Sequence, residues 1–341
     1  MIRVDAFESV IVEVLGESNP ALDLPAEERF MAPLEGKSGK YSEQLRGGLA
    51  EILALSAGLA SENLLTDDYN FIGRARRIVS RLLPGGCSWK RWASIGNLLP
   101  LLAEAAPEEF LDAVAQDLKS DNPESVELMR QEHGDAITGG VYHAGLLWAL
   151  ETLEWTTKYA ARVAELLGKL AALDPGGRWA NRPSASLRNL FFSWRPQTMA
   201  TLDELLAILG RLAKKQPEVA WKLVLDLLPE HQSSITDSYK PSPWRSWAAG
   251  WTGEVVAADY WHYISGLAAL AVDLAAAVAS RWQELLDRCT ALPPADRSGI
   301  SAENWLTLYL TCNCLASGSG EVHFRREPSN SEGSAVLGHV A

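Results

Sequence analysis

Ala103-Glu104-Ala105-Ala106-Pro107-Glu108 and Ala213-Lys214-Lys215-Gln216-Pro217-Glu218 are two strings of the same form, and the fold prediction for this sequence rests on them. Each string ends an apolar run, turns on Ala-x-x-x-Pro-Glu and opens a second run of similar length. Proline suits the first position of a helix, and acidic residues beside it interact favourably with the helix dipole. A helix, a short turn and an antiparallel helix form the unit of an α-solenoid. We therefore expect an all-α fold of antiparallel helix pairs stacked as a HEAT- or TPR-like α-solenoid. A globular all-α bundle is the alternative.

Helical spacing of apolar residues continues along most of the chain, and no segment shows the alternation typical of a strand. Pro100 should kink or split a helix over residues 89–105, because proline lacks the amide donor. Further helices are expected over 184–194 and 301–310, with one long or two stacked helices over 254–279. The predicted organisation is an irregular N-terminal segment (1–38), a helical repeat region (39–310) and a disordered tail (311–341).

The tail differs in composition from the rest of the chain. After Leu310 the helical period ends and small polar residues dominate, which is typical of disorder. Either the tail is a genuine flexible extension, or the reading frame of a longer solenoid is interrupted near Leu310.

Composition excludes several classes of function. The net charge of −12 over 341 residues disfavours nucleic-acid binding, because phosphate recognition depends on clustered Lys and Arg. No apolar run reaches the roughly 18 residues that a membrane span needs. The N-terminus lacks the features of a signal peptide. The four cysteines are scattered, which indicates a reducing compartment and, by default, the cytoplasm.

Two irregular segments rich in Trp and Arg interrupt the helices, at residues 174–183 and 241–251. Arginine stacks on aromatic faces and forks onto carboxylates, so such segments can clamp neighbouring repeats or bind a partner protein. The candidate clamping or partner-binding residues are Arg178, Trp179, Asn181, Arg182, Arg188, Trp194, Arg195, Trp244, Arg245 and Trp247.

Catalytic and cofactor motifs are absent from the sequence: it has no H-E-x-x-H, no G-x-S-x-G and no complete Walker A string. Cys312-x-Cys314 with His323 has the wrong spacing for a common zinc knuckle. We therefore predict no metal and no cofactor. Asp237, Glu254 and Asp259 flank the tryptophans, and paired carboxylates beside exposed aromatic rings are typical of glycoside hydrolases.

Residues 173–183, the string from Ser186 to Thr198 and the later Trp244-Arg245-x-Trp247 resemble the helical-repeat region of large bacterial multidomain proteins of the STAND NTPase type, some of them linked to phage defence. The resemblance spans roughly residues 140–310. It implies a helical array that senses a target, while other domains hydrolyse nucleotide or act as effector. The NTPase signatures of that family are absent here, so the resemblance implies no catalytic residue.

These observations favour a non-catalytic helical-repeat module that binds an unidentified protein partner, as a fragment of a larger sensor or scaffold. The alternative is an all-α carbohydrate-active enzyme that uses the carboxylates beside the Trp-rich loop.

Overall fold

The computed structural model describes residues 4–66, 69–133, 140–228, 237–276 and 278–290. These residues are all-helical apart from two short antiparallel strands, β1 (Glu132–His133) and β2 (Gly140–Val141). Short 3-10 helices cover Pro20–Asp23, Ala26–Met31, Gly96–Leu98 and Ser246–Ala248. The α-helices are α1 (Val4–Leu15), α2 (Glu43–Ser61), α3 (Phe71–Leu82), α4 (Trp89–Ser94), α5 (Leu99–Ala105), α6 (Pro107–Asp117), α7 (Glu124–Arg130), α8 (Ala144–Glu154), α9 (Thr157–Leu173), α10 (Pro183–Leu190), α11 (Leu202–Lys215), α12 (Pro217–Leu227), α13 (Ala257–Ala275) and α14 (Ala279–Thr290).

The two Ala-x-x-x-Pro-Glu strings form turns of nearly the same backbone geometry. Ala106, between α5 and α6, has φ −148° and ψ 76°, and Gln216, between α11 and α12, has φ −142° and ψ 67°. The N–H of each turn residue donates to the carbonyl four positions earlier. The following proline, which has no N–H to satisfy, starts the next helix. Both strings are therefore tight helix–turn–helix units, as their spacing predicts.

Helices adjacent in the sequence pack in pairs: α2 with α3, α5 with α6, α8 with α9, and α11 with α12. The first helices of successive pairs also contact one another, α2 with α5 and α5 with α8, and so do α3 with α6 and α6 with α9. The apolar faces meet in one continuous core. Its largest fully buried side chains include Trp92, Phe110, Phe191 and Tyr263.

The predicted helix over 89–105 is split, but the break lies before Pro100. α4 ends at Ser94, where the Arg46 guanidinium donates to the Ser94 carbonyl at 2.8 Å. A 3-10 turn follows at Gly96, and a Cβ on Gly145 would lie 2.0 Å from the Gly96 carbonyl oxygen. This close approach of two backbones sets the break, while Pro100 lies in the first turn of α5, where its missing donor is harmless.

Other helix boundaries also differ from the sequence prediction. α10 ends at Leu190 rather than 194, because the buried Phe191 lies outside the helix and its carbonyl accepts a hydrogen bond from the Tyr263 hydroxyl at 2.9 Å. The helix expected over 254–279 is α13, from Ala257 to Ala275.

The N-terminal residues 1–38, expected to be irregular, hold α1 and two 3-10 helices. α1 packs on α2 and α3 and buries Ile11 and Leu15, which lie one helical turn apart. The helix is short and ends before a Gly-, Pro- and Glu-rich stretch, which is why its sequence signal is easily missed.

None of the helices in the described ranges has the length and apolar character needed to cross a membrane. The helix expected over 301–310, the tail expected over 311–341, and Cys312, Cys314 and His323 lie outside the described residues.

Candidate functional site

Residues 237–251, called the crossing segment below, lie across three helices that are neighbours in the array, α8, α5 and α2. Its backbone N–H groups donate in order to one carboxylate from each helix: Tyr239 to Glu151 at 2.9 Å, Ser242 to Glu104 at 2.8 Å, and Ser246 to Glu62, the residue capping α2, at 3.0 Å. A carboxylate that accepts a backbone N–H makes a charge-assisted hydrogen bond when it is ionised. Such a bond does not depend on which side chain the donor residue has. The crossing segment is thus attached mainly through its main chain.

Arg245 is the side-chain anchor of the crossing segment. It is 7% exposed and inserts between α2 and α5. Its guanidinium donates to the Ser61 hydroxyl at 2.7 Å and to the Glu104 carbonyl, and lies 4.4 Å from the centre of the Trp247 ring. A Cβ on Gly58 would lie 3.2 Å from the guanidinium carbon, so the glycine provides the room that the arginine occupies.

Three carboxyl groups below the crossing segment are buried. Burial raises the pKa of Glu104, of Glu151 and, most strongly, of the fully buried Glu154, because desolvation disfavours the charged form. The Ser238 hydroxyl lies close enough to lower the pKa of Glu154 somewhat, but it is not in hydrogen-bonding geometry with that carboxyl. These acids therefore keep their protons to higher pH than exposed carboxyls do.

Aromatic rings surround the first and last residues of the crossing segment. The buried Trp155 donates its indole N–H to the Tyr239 carbonyl at 3.1 Å and meets Trp251 edge-on at 5.0 Å. The Lys240 ammonium lies 4.4 Å from the Trp251 ring centre and 5.5 Å from that of Trp155. Tyr239 itself stacks on Trp148 at 5.5 Å.

The other irregular segment, residues 174–183, is organised by Arg182, whose side chain is largely buried. The guanidinium forks onto the Asp174 carboxylate, bonds Glu132 of β1 at 2.5 Å and donates to the Gly176 carbonyl at 3.1 Å. Gly176 adopts φ +75°, and a Cβ on Gly177 would lie 2.2 Å from the Glu132 carboxylate. Gly176 therefore suits the left-handed conformation of the turn, and a side chain at position 177 would displace the Glu132 carboxylate.

The ten residues predicted from the sequence fall into three groups. Arg178, Trp179, Asn181 and Arg182 lie in the segment next to Glu132, where Asn181 also offers its carbonyl to the buried His143 ring at 2.8 Å. Trp244, Arg245 and Trp247 lie in the crossing segment, against α2, α5 and α9. Arg188, Trp194 and Arg195 form the third group, which lies between the other two in the sequence.

Each residue of this third group contacts an aromatic ring, and Arg195 also reaches the crossing segment. Arg188 lies over Phe192 at 4.7 Å, and Trp194 meets the same ring edge-on at 5.1 Å. Arg195 lies 5.5 Å from the Trp251 ring centre and pairs with Asp237 at 3.2 Å.

The carboxylates suggested for glycoside chemistry are in different surroundings. Asp237 is paired with Arg195. Glu254 and Asp259 line a depression of about 530 Å³ together with Trp251 and His262, and His262 lies 3.2 Å from Asp203. The described part of the chain contains no group of three or more His, Cys, Asp or Glu side chains placed to hold a metal ion.

Sequence reasoning missed the carboxylates that accept the crossing segment: Glu62, Glu104 and Glu151. Glu104 and Glu151 stand on otherwise apolar helix surfaces, and Glu104 lies inside one of the repeated strings. The available signal was an acidic residue at a core-facing helical position, because acidic side chains are rarely buried without a partner.

Comparisons of this chain with protein-family models, with curated proteins and with solved structures found no match.

Proposed function

We propose that this chain is a non-catalytic helical-repeat module that binds a protein partner. The stacking of its helix pairs as a HEAT- or TPR-like α-solenoid is part of the proposal. It is supported by the order of contacts, in which each pair touches the pair before and after it, and by the two turns of matching geometry.

The observation on which the binding proposal rests is a set of exposed aromatic rings around the crossing segment. Trp148 is 37% exposed, Tyr239 45% and Trp194 44%, and the half-buried Arg195 lies beside the last. Trp, Tyr and Arg dominate the energetics of protein interfaces. The rings are held by stacking and by edge-on contacts, so little side-chain entropy is lost when a partner covers them.

We also propose that the chain is part of a larger sensor or scaffold protein. A target-sensing array within a larger sensor or scaffold is the role that the family resemblance implies, with a protein rather than a nucleic acid as target because the chain has a net charge of −12. The scattered cysteines support a cytoplasmic location.

The test is site-specific photo-crosslinking in cells that express the full chain. A photoreactive amino acid at position 194 or 239 should give one discrete crosslinked protein, and the Trp148→Ala substitution should reduce its yield. A photoreactive residue at position 34 is the matched control, because Leu34 is 83% exposed and lies in the N-terminal segment, outside the crossing segment and the three helices that it crosses. Equal crosslinking from all three positions would contradict the proposed surface.

A carbohydrate-active enzyme is the second candidate, and one observation favours it: Glu254 and Asp259 border the same depression as Trp251. Two carboxylates beside a ring on which a sugar can stack are the components of glycoside hydrolysis. Glu254→Gln and Asp259→Asn should each abolish release of reducing sugar from a polysaccharide panel. Activity equal to that of the unmodified chain in both variants, or no activity in any of the three proteins, removes this candidate.

A further inference from the structure

We infer that the groove formed by Glu151 of α8, Glu104 of α5 and Glu62 at the end of α2 is a binding site for an extended partner peptide that contains an arginine followed two positions later by an aromatic residue. In this structure the chain's own crossing segment occupies the groove. The inference rests on the proposed function and specifies the chemistry of the partner.

The first support is the way in which the groove recognises its occupant. Three carboxylates on three neighbouring helices each accept one backbone N–H, from Tyr239, Ser242 and Ser246, at 2.8–3.0 Å. Residues 237–245 form neither a regular helix nor a strand, and only a short 3-10 helix follows at Ser246–Ala248, so the occupant crosses the three helices as an irregular chain. Main-chain recognition of this kind accepts any sequence that can extend across the three helices.

The second support is the pocket that selects a side chain. Arg245 fills a space opened by Gly58, bonds Ser61 and the Glu104 carbonyl, and stacks on Trp247. A lysine in place of the arginine could not donate to both acceptors at once. An arginine that is not followed two positions later by an aromatic residue would have no ring on which to stack. The pocket therefore selects an Arg-x-aromatic sequence.

The third support is that the crossing segment fits its groove incompletely. Buried polar atoms outside hydrogen-bonding geometry concentrate here: Nε of Arg245, Nε1 of Trp244, Oγ of Ser238, Oε2 of Glu104 and both carboxyl oxygens of Glu154. Trp244 and Ser238 still lie close enough to Glu104 and Glu154, respectively, to lower the pKa of those carboxyls, so the two pairs are poorly aligned rather than separated. Buried polar groups in stable interiors are nearly all satisfied. An internal segment that leaves so many atoms poorly aligned is stabilised less than its contacts suggest, and its release therefore needs less free energy than unfolding of the helices.

The first test uses the unmodified full chain and amide hydrogen exchange. The amides of Tyr239, Ser242 and Ser246 should exchange at least about tenfold faster than the core amides of α5 and α8, because the segment opens without unfolding of the helices. Protection equal to that of α5 and α8 would overturn the inference, since the segment would then be a permanent part of the core.

The second test supplies the segment in trans. A fluorescent peptide with the sequence of the crossing segment, residues 237–251, should bind the full chain with Arg245→Ala at least about tenfold more tightly than the unmodified chain, whose groove is occupied. The same peptide with alanine in place of its arginine should bind the variant at least about tenfold more weakly. Arg162→Ala is the matched control, because Arg162 pairs with Glu108 and Asp112 outside the groove, and it should behave as the unmodified chain.

The peptide can also be tested on the unmodified chain, without the Arg245→Ala variant. If Arg245→Ala does not fold, saturating peptide added to the unmodified chain should reduce the protection of that chain's own three amides. Absence of both effects would overturn the inference, and so would a concentration-dependent dimer without peptide, which would assign the groove to a second copy. A discrete crosslink from position 194 without peptide binding would overturn the groove and leave the proposed function standing.

Discussion

Replacing Arg182 by alanine removes the cation that joins two carboxylates between β1 and the start of α10. The Arg182 side chain is 10% exposed, and those of Glu132 and Asp174 are 10% and 13% exposed. After the substitution both carboxylates remain in place with no cation to compensate them. The segment 174–183 also loses the bond from the guanidinium to the Gly176 carbonyl.

The magnitude follows from this burial. Removing one partner of a buried ion pair costs about 3–5 kcal/mol, mainly because the remaining charge is desolvated without compensation. We expect Arg182→Ala to lower the free energy of unfolding by that amount. Arg182→Lys should have an intermediate effect, because the ammonium keeps the charge but cannot fork onto Asp174 and reach Glu132 together.

The contribution of Asp174 to the free energy of unfolding depends on pH with a defined sign. Burial raises the pKa of Asp174, but the bonds from Arg182 and from the Gly176 N–H outweigh it, so the folded pKa lies below the ordinary value. This stabilisation is fully present above about pH 3.9, the ordinary pKa of Asp, and is lost as the pH falls through the lower folded value. Arg182→Ala should weaken this loss on acidification.

The assay is urea unfolding followed by tryptophan fluorescence and circular dichroism, with Arg178→Ala as matched control. Arg178 is exposed and engages Glu132 through its backbone N–H, so its truncation should change stability by less than about 0.5 kcal/mol. A loss below about 1 kcal/mol for Arg182→Ala would refute the clamping argument.

Three further substitutions test other contacts, each by the shift in urea midpoint. Gly177→Ala should destabilise the chain by about 1–3 kcal/mol, because the new Cβ would lie 2.2 Å from the Glu132 carboxylate. An unchanged urea midpoint would mean that Glu132 of β1 can move aside without cost. Trp155→Phe should cost about 1–3 kcal/mol, since the Tyr239 carbonyl loses its buried donor, and an unchanged midpoint would contradict that bond. Glu154→Gln should raise stability at pH 8 and leave it nearly unchanged at pH 4, because the raised folded pKa of Glu154 supplies stability below about pH 4.3 that is lost as the pH rises. The same shift at both pH values would refute the titration argument.

Local signals in the sequence were sufficient for the all-α class and for two of the turns between helices. The Ala-x-x-x-Pro-Glu strings predicted two turns that the structure shows with nearly identical backbone angles. Thr201 begins α11 in a capping box with Glu204, three residues further on. These features depend on neighbours within a few residues, so a single sequence contains the information that sets them.

The break at Gly96 and the surroundings of the crossing segment were not readable in the same way. The predicted helix is interrupted at Gly96, where the backbone at Gly145 comes against it, and nothing near position 96 in the sequence indicates that approach. The Arg- and Trp-rich segments were visible as candidates, but the buried carboxylates that accept the crossing segment were not.

The sequence by itself determined the all-α class, the helix pairs and the residue types of the two irregular segments, because period, proline and capping act locally. Tertiary structure alone decided that Arg245 reaches Ser61, 184 positions earlier in the chain, and that Glu62, Glu104 and Glu151 align along one segment. Such alignment depends on how three helix pairs stack. That stacking is set by the fit of many apolar side chains in a shared core, and no short stretch of sequence specifies it.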